Sequence, residues 1–365
     1  MQRQKQLTDW LTGLYPNETF TLAPASADAS FRRYFRATFS NGGGCDTLLA
    51  KPADCGNNRP AAPPAPDGST APRRGCTKII MDAPPQHEDC KPFLHVGKLF
   101  EDAGTHVPHV YAQDLKQGFL LLSDLGNTTY LQGFPSGNPG QLYGDATDAL
   151  IKIQLASKEN ELPPYDEALL RRELNLFPEW YIAKHLSVTL SAKQQAKLEE
   201  VFQRILANNL AQPCVYVHRD YHSRNLMVIG DNNPGILDFQ DAVYGPITYD
   251  LASLFKDAYI KWEEEEIIDW LIRYWERARK AGLPVREDFG EFYRDYEMMG
   301  VQRHIKVLGI FARLYHRDGK DGYLKDMPLV MDYLRRACER YIDLKPLLVL
   351  LMELEIHAQQ TGTSA

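Results

Sequence analysis

The chain has 365 residues, 44% of them hydrophobic, and a formal net charge of −7. That length supports two lobes with a core each, and an acidic balance without a local basic patch argues against a nucleic-acid partner. The six cysteines show no metal-ligand spacing, and no stretch nears the roughly 20 apolar residues of a membrane span or forms a signal core, which together point to a soluble cytoplasmic protein with free thiols and no membrane partner.

The first 16 residues carry Leu7, Trp10, Leu11 and Leu14 at helical spacing, and Phe31–Phe39 reads as a strand. From 41 to 76 the pattern breaks into NGGG and NNRPAAPPAPDGSTAPRRG, a composition that predicts a mobile insertion without a core. Thr77–Met81 resumes strand character, a helix follows across 92–103, and Gly118–Leu122 is a short apolar run suited to a buried strand. Beyond it the spacing predicts helices over 141–157, 166–187, 191–210, 248–260, 263–281, 287–318 and 327–355. A strand-rich first third followed by a helix-rich remainder describes two lobes with a cleft.

Within the helical part lies CVYVHRDYHSRNLMVIGDNNPGILDFQDA, residues 214–242. Val215–Val217, Leu226–Ile229 and Ile236–Leu237 read as short strands, with a turn at Asp231–Gly235. The polar residues between the first two therefore sit on a loop at a strand end. Phosphoryl transfer needs a carboxylate that orients the attacking hydroxyl and takes its proton, together with oxygen ligands for Mg²⁺ on the nucleotide phosphates. Asp220 with Asn225 five residues on matches HxDxxxxN, and Asp238 supplies a second metal-binding oxygen. His218 orders the loop, while His222 and Arg224 are brought near the transferred group by position. The bland alternative, a capped turn with solvated acids, accounts for a lone HRD but not for this combination.

HRDYHSRNLMV followed by GILDFQDA resembles the motif of the aminoglycoside phosphotransferase and choline kinase superfamily, whose fold is protein-kinase-like. Protein kinases proper continue from DFG into an activation loop; here Asp238-Phe-Gln-Asp241 runs within a dozen residues into TYDLASLF, which favours a small-molecule substrate. DASFRRYFR (28–36), IIMDAPPQHEDCKPF (79–93), FLLLSDLGNTTYL (119–131), ELNLFPEWYIAKHL (173–186) and QRHIKVLGIFARLYHRDGKDGYL (302–324) resemble, more narrowly, the N-acetylmuramate/N-acetylglucosamine anomeric kinases of bacterial cell-wall recycling. The likeness spans nearly the whole chain except about 41–76. It implies an α+β, bilobal protein-kinase-like fold with a small β-rich N-lobe (1–122), a hinge (123–127) and a larger helical C-lobe (128–365). It also implies ATP and Mg²⁺, phosphorylation of the sugar's C1 hydroxyl, and no obligatory protein partner. An aminoglycoside- or choline-type kinase is the alternative within enzymes, and a catalytically silent ATP-binding scaffold the alternative outside them.

Further residues take roles on that resemblance. Asp28–Arg33 occupies the place of the nucleotide-covering loop, where Ser30 and Phe31 offer backbone and Arg32 and Arg33 offer charge to phosphate, unless this is a basic surface hairpin. With Ile79–Asp82 as the third strand no lysine is present there; an alternative register would use Lys51 as the phosphate lysine. Ser123, Asp124 and Leu125 form the hinge, with the Ser123 carbonyl and Leu125 amide toward adenine. Glu173, Asn175 and Trp180 can face a sugar, although Trp180 also fits a buried helix face. Arg303, Lys306 and Arg313 recur at helical spacing, suited either to an anion or to a solvated face. His87–Cys90 reads as a solvated loop in preference to a metal site, Asp250 as a helix cap or a tie for the catalytic loop, and Glu263–Glu266 as a complement to a helix dipole.

Overall fold

Leu7 and Leu11, one turn apart, are fully buried in helix α1 (Gln2–Leu14) of the computed structural model, with Trp10 and Leu14 partly covered beside them. The structure describes residues 2–27, 31–40 and 76–361; Ser30, Lys51 and the 41–76 insertion apart from Cys76 lie outside these. The residues group into two units, 1–128 with 227–240, and 129–226 with 241–365.

In the first unit α1 covers an antiparallel sheet of β1 (Phe20–Ala27), β2 (Arg33–Phe39), β3 (Thr77–Asp82), β4 (Val110–Asp114) and β5 (Phe119–Ser123), in the order β1-β2-β3-β5-β4. Side chains alternate across a strand, so Ala37, Phe39, Ile80, Phe119 and Leu121 share the face that closes a core with Leu7, Leu11 and Tyr15. Strand β1 escaped the sequence pattern because it is an edge strand interrupted by Pro24, where the register shifts. Helix α2 (Lys91–Asp102) follows β3.

The segment 227–240, assigned by its position in the sequence to the helical lobe, packs with the first unit. Strands β7 (Leu226–Met227) and β8 (Gly235–Ile236) pair as a hairpin, and Val228 and Ile236 N–H groups donate to the carbonyls of Thr128 and His106, each at 2.8 Å. Phe239 packs at a tilt against Phe93, ring centroids 4.8 Å apart, and against Phe100, 6.0 Å apart. These aromatic and backbone contacts, rather than chain order, decide its membership.

The second unit is helical: α3 (Tyr130–Gly133), α4 (Pro139–Leu155), α5 (Glu167–Leu176), α6 (Ala192–Leu210), α7 (Tyr249–Phe255), α8 (Glu264–Lys280), α9 (Phe289–Asp318), α10 (Met327–Arg340) and α11 (Lys345–Thr361). Strand β6 (Cys214–Val217) pairs antiparallel with β9 (Val243–Pro246), not with the 226–229 run that followed it in sequence. The helix expected over 166–187 changes winding at Phe177, where a π-helix continues to His185. The helix expected over 327–355 is broken at Tyr341, in extended backbone, and restarts at Lys345 with Pro346 in its first turn, where a missing N–H costs nothing. Asp288 caps α9 by accepting from Glu291 N, and Gly319 at φ +65° ends it. Gly309 lets α9 meet α5 closely, since a Cβ there would lie 2.5 Å from the Leu176 backbone.

Among the described residues no helix is long and apolar enough to cross a membrane. Cys90, Cys214 and Cys338 are free, but Cys76 is disulfide-bonded, which corrects the expectation of free thiols throughout.

Candidate active site

In the first unit, the basic residues after β1 separate by strand face. Arg33 sits opposite Asp82 across β2 and β3, and its guanidinium pairs with that fully buried carboxylate, which Arg3 of α1 also reaches at 2.7 Å. Arg33 is thus engaged on the α1 face, against the phosphate role expected for it. Arg32 points to acidic partners instead, Glu88 at 4.0 Å and Asp238 at 3.7 Å. Exposed Phe31 stacks on His87 at 4.5 Å and donates its N–H to Glu88 at 3.1 Å. Asp89 accepts from Lys91 N, and no group of three or more potential ligands forms a metal site among the described residues.

The third strand, Thr77–Asp82, does carry a lysine, Lys78, contrary to the expectation that none is present there. Lys78 shares the face of Ile80 and lies over the Tyr111 ring at 3.4 Å. The opposite face presents Arg36, which binds Asp124 through two hydrogen bonds of 2.6 and 3.0 Å. Burial opposes ionisation of Asp124, but Arg36, the Gly126 N–H and Thr77 outweigh it and hold the carboxyl below its ordinary value. The expected hinge is therefore pinned through the Asp124 side chain. Ser123 Oγ accepts from His109 N at 2.9 Å, and Leu125 packs over Gly235. At the end of the hairpin Asp238 adopts φ +63°, and its Oδ1 accepts from Gln240 at 2.9 Å.

In the second unit, the loop after β6 is held by two buried aspartates. Asp250, in the first turn of α7, accepts the His218 N–H at 2.7 Å and the Arg219 N–H at 3.0 Å. Arg219 is forced to φ +76°, an unfavoured conformation for a residue with a Cβ. Asp257, just past α7, accepts from Ser223 N at 3.0 Å and Ser223 Oγ, and from Tyr259 N at 3.1 Å. This second tie explains why α7 stops at Phe255 instead of running to 260. Inside the loop, His218 Nδ1 accepts from Asp220 N at 3.2 Å, while the Asp220 carbonyl accepts from His222 N and Asn225 Nδ2, each at 3.0 Å. With the Asn225 amide nitrogen so committed, its oxygen is the group suited to a cation.

The electrostatics suit a base. Burial works against the Asp220 carboxylate, yet the nearby Lys306 charge, with His222, His218 and Arg303, outweighs it and keeps the group below its ordinary value. Asp250 is different: burial dominates its two backbone hydrogen bonds and raises it to about 7. His222 is lowered by burial, against the opposing Asp257 and Asp220 charges. Asn225 and Asp238 are oxygen donors, the type Mg²⁺ takes when substrate phosphates complete its shell.

Glu173 does not present a free carboxylate to a sugar. It is 4% exposed and engaged by Arg219 at 2.6 Å, Lys306 at 3.1 Å and the Tyr165 hydroxyl. Asn175, in α5, and Trp180, in the π-helical segment, are half-buried, and Arg303 is buried in mid-α9. Arg224 lies 3.5 Å over Tyr259, whose ring His222 also meets edge-on at 5.4 Å, and pairs with Asp326 at 3.8 Å. Sequence reasoning missed Asp257, Tyr259, Asp326 and Arg219 as parts of this arrangement. None belongs to a short motif, and only packing joins them to the loop.

The chain matches the phosphotransferase enzyme family over residues 21–288. It is 48% identical to the N-acetylmuramate/N-acetylglucosamine kinase of Neisseria meningitidis serogroup B, over 97% of this chain and 96% of that protein. It is 45% identical to the protein of the same description from Pseudomonas aeruginosa, over 96% and 97% respectively. Among solved structures it is similar to a choline kinase from Cryptosporidium parvum, with a TM-score of 0.59 at 12% identity, over 94% of this chain and 98% of that one. The ADP-bound aminoglycoside phosphotransferase APH(2'')-Ib gives a TM-score of 0.55 at 13% identity, over 90% and 97%. These structural likenesses bear out the expected α+β, protein-kinase-like class.

Proposed function

Because the chain belongs to the phosphotransferase enzyme family, we propose that it is an ATP-dependent kinase acting on the anomeric hydroxyl of N-acetylmuramate and N-acetylglucosamine. The names of relatives matched at 43–48% identity over nearly the full length support the substrates. The observation that carries the chemistry is the loop after β6, where two buried carboxylates hold the backbone and Asp220 is kept ionised. A 1-phosphate product would enter nucleotide-sugar synthesis for peptidoglycan, and the demand for ATP suits a cytoplasmic setting.

Each residue then has a task. Asp220 orients the sugar's O1 and accepts its proton; a hemiacetal hydroxyl is more acidic than an ordinary alcohol, so one carboxylate suffices. His218 orders the loop through its hydrogen bond to Asp220 N. Arg224, braced on Tyr259, supplies positive charge at the loop's far end. Asn225 and Asp238 would offer oxygen ligands to Mg²⁺, which when bound would supply positive charge to the nucleotide phosphates. Arg32 with the Phe31 backbone covers the phosphates, and the Ser123 carbonyl and Leu125 amide take the adenine. His222, Asn175 and Arg303 serve the substrate side. Glu173 acts at one remove, as the anchor for the Arg219 and Lys306 cations.

The test uses the blocked sugar. N-acetylglucosamine is turned over, whereas its methyl glycoside, capped at O1 but free at O3, O4 and O6, is not. Phosphorylation of the glycoside would assign another hydroxyl and return the chain to a general sugar or aminoglycoside kinase.

A further inference from the structure

Four cations are buried among the described residues: Lys78, Lys256, Arg303 and Lys306. Lys78 lies over the Tyr111 ring, Lys256 pairs with Glu297, and Lys306 pairs with Glu173 while donating to the Tyr249 hydroxyl at 2.8 Å. Arg303 is the exception. It is 3% exposed, its Nη1 is buried with no hydrogen-bond partner, and its side chain makes no hydrogen bond or ion pair with any described residue. Arginine cannot shed its proton to escape this burial, so the site carries a charge that calls for an anion.

The place of that charge narrows the anion. Arg303 acts electrostatically on Asp220, His222 and Asp250, all in or tied to the loop after β6. His222 Nδ1 is also buried without a partner. A buried ring nitrogen and a fixed cation, both without a hydrogen-bond partner, therefore belong to the surroundings of the loop that carries Asp220. Two anions are available under the proposed reaction: the lactyl carboxylate of N-acetylmuramate and the phosphoryl group itself. The lactyl group is carried on C3, across the ring from O1, and N-acetylglucosamine lacks it. A cation kept for that carboxylate would be stranded with the second sugar. The phosphoryl group is present with both sugars and is bonded to the very oxygen that Asp220 deprotonates.

We propose that Arg303 binds the anionic oxygens of the phosphoryl group as it passes to the sugar, gripping the transition state and the sugar 1-phosphate but not the free sugar. In this step the O1–Pγ bond forms and the bond from Pγ to the bridging oxygen breaks. That electron pair stays on the β-phosphate of the departing ADP, and the O1 proton goes to Asp220. The negative oxygens on Pγ neither gain nor lose atoms; their charge is what Arg303 meets.

The inference rests on O1 as the acceptor, so wild-type turnover of both sugars is measured first. In Arg303→Met, kcat falls about 10²–10³-fold with both sugars, the scale for losing one charge-stabilising donor. By calorimetry, the Kd for N-acetylglucosamine 1-phosphate rises at least tenfold while the Kd for each free sugar moves less than about threefold. The ligand-free variant melts no lower than wild type, because an unpaired buried charge has been removed. Arg303→Lys, which keeps the charge and loses the fork, gives an intermediate kcat and covers the case of a misfolded Met variant. A loss confined to N-acetylmuramate would overturn the proposal in favour of a carboxylate reader, and weakened binding of both free sugars at unchanged kcat would overturn it in favour of a hydroxyl contact. If wild type turns over neither sugar, the functional reading falls separately. Arg303 is then judged by inorganic phosphate, whose thermal stabilisation of wild type must vanish in Arg303→Met for the anion site to stand.

Discussion

Replacing Asp250 by Ala removes the acceptor that two backbone N–H groups share, those of His218 and Arg219. Each buried donor left without a partner costs about 1–3 kcal/mol, so the pair costs about 2–6 kcal/mol. Against this, the released loop lets Arg219 leave φ +76°, which recovers about 1 kcal/mol. The unsatisfied donors win, and the net loss is about 1–5 kcal/mol, measured by urea melts at pH 5. The magnitude depends on pH in a direction that can be worked out. The Asp250 carboxyl titrates at about 7 in the folded chain, against about 3.9 when unfolded. Between these values the folded state holds a proton that the unfolded state has lost, so this group's contribution to stability falls as pH rises and levels off above 7. At about 1.4 kcal/mol per pH unit, wild type loses about 3 kcal/mol between pH 5 and pH 8 through this group, and Asp250→Ala does not. The variant's deficit should therefore shrink by that amount at pH 8, while kcat stays depressed at least tenfold because Asp220 is no longer held. A deficit identical at both pH values would refute the raised carboxyl, and near-normal kcat would refute its hold on the loop.

Asp220→Asn should lower kcat about 10²–10⁴-fold, the scale of a general base, with the KM for ATP nearly unchanged; near-normal turnover would remove the base assignment. Lys78→Met should leave the KM for ATP within about twofold and cost no more than about 1 kcal/mol, since its ammonium meets the Tyr111 ring on the α1 face. A tenfold rise in that KM would make Lys78 a phosphate ligand after all. Gly309→Ala places a Cβ 2.5 Å from the Leu176 backbone and should destabilise by about 1–3 kcal/mol, seen as a lower Tm; an unchanged Tm would contradict the close crossing of α9 and α5.

The class of fold and the chemistry were legible in short stretches because both depend on local spacing. A helix needs apolar residues every three or four positions, and α1, α4, α6, α8 and α9 have them close to the expected bounds. The loop HRDYHSRN is legible for the same reason: its polar groups must project from one tight turn, so they are near in sequence. Breaks set by a single proline were harder, and Pro346 divided a helix that periodicity had run together. Long-range pairing was not legible at all. Nothing in VYGP announces that β9, not the nearer 226–229 run, pairs with β6. Nor does sequence distance reveal that Phe239 belongs with Phe93, that Arg33 turns to Asp82, or that Glu173 is spent on Arg219 and Lys306. An ion pair's partner is chosen by which charges burial brings together, and burial is a property of the whole packed chain. The sequence by itself determined which side chains can do the chemistry, since functional groups and their local spacing are written there. Only the tertiary structure decided which of those charges are already neutralised by a partner and that Arg303 is not, because that depends on residues far apart in the chain meeting in space.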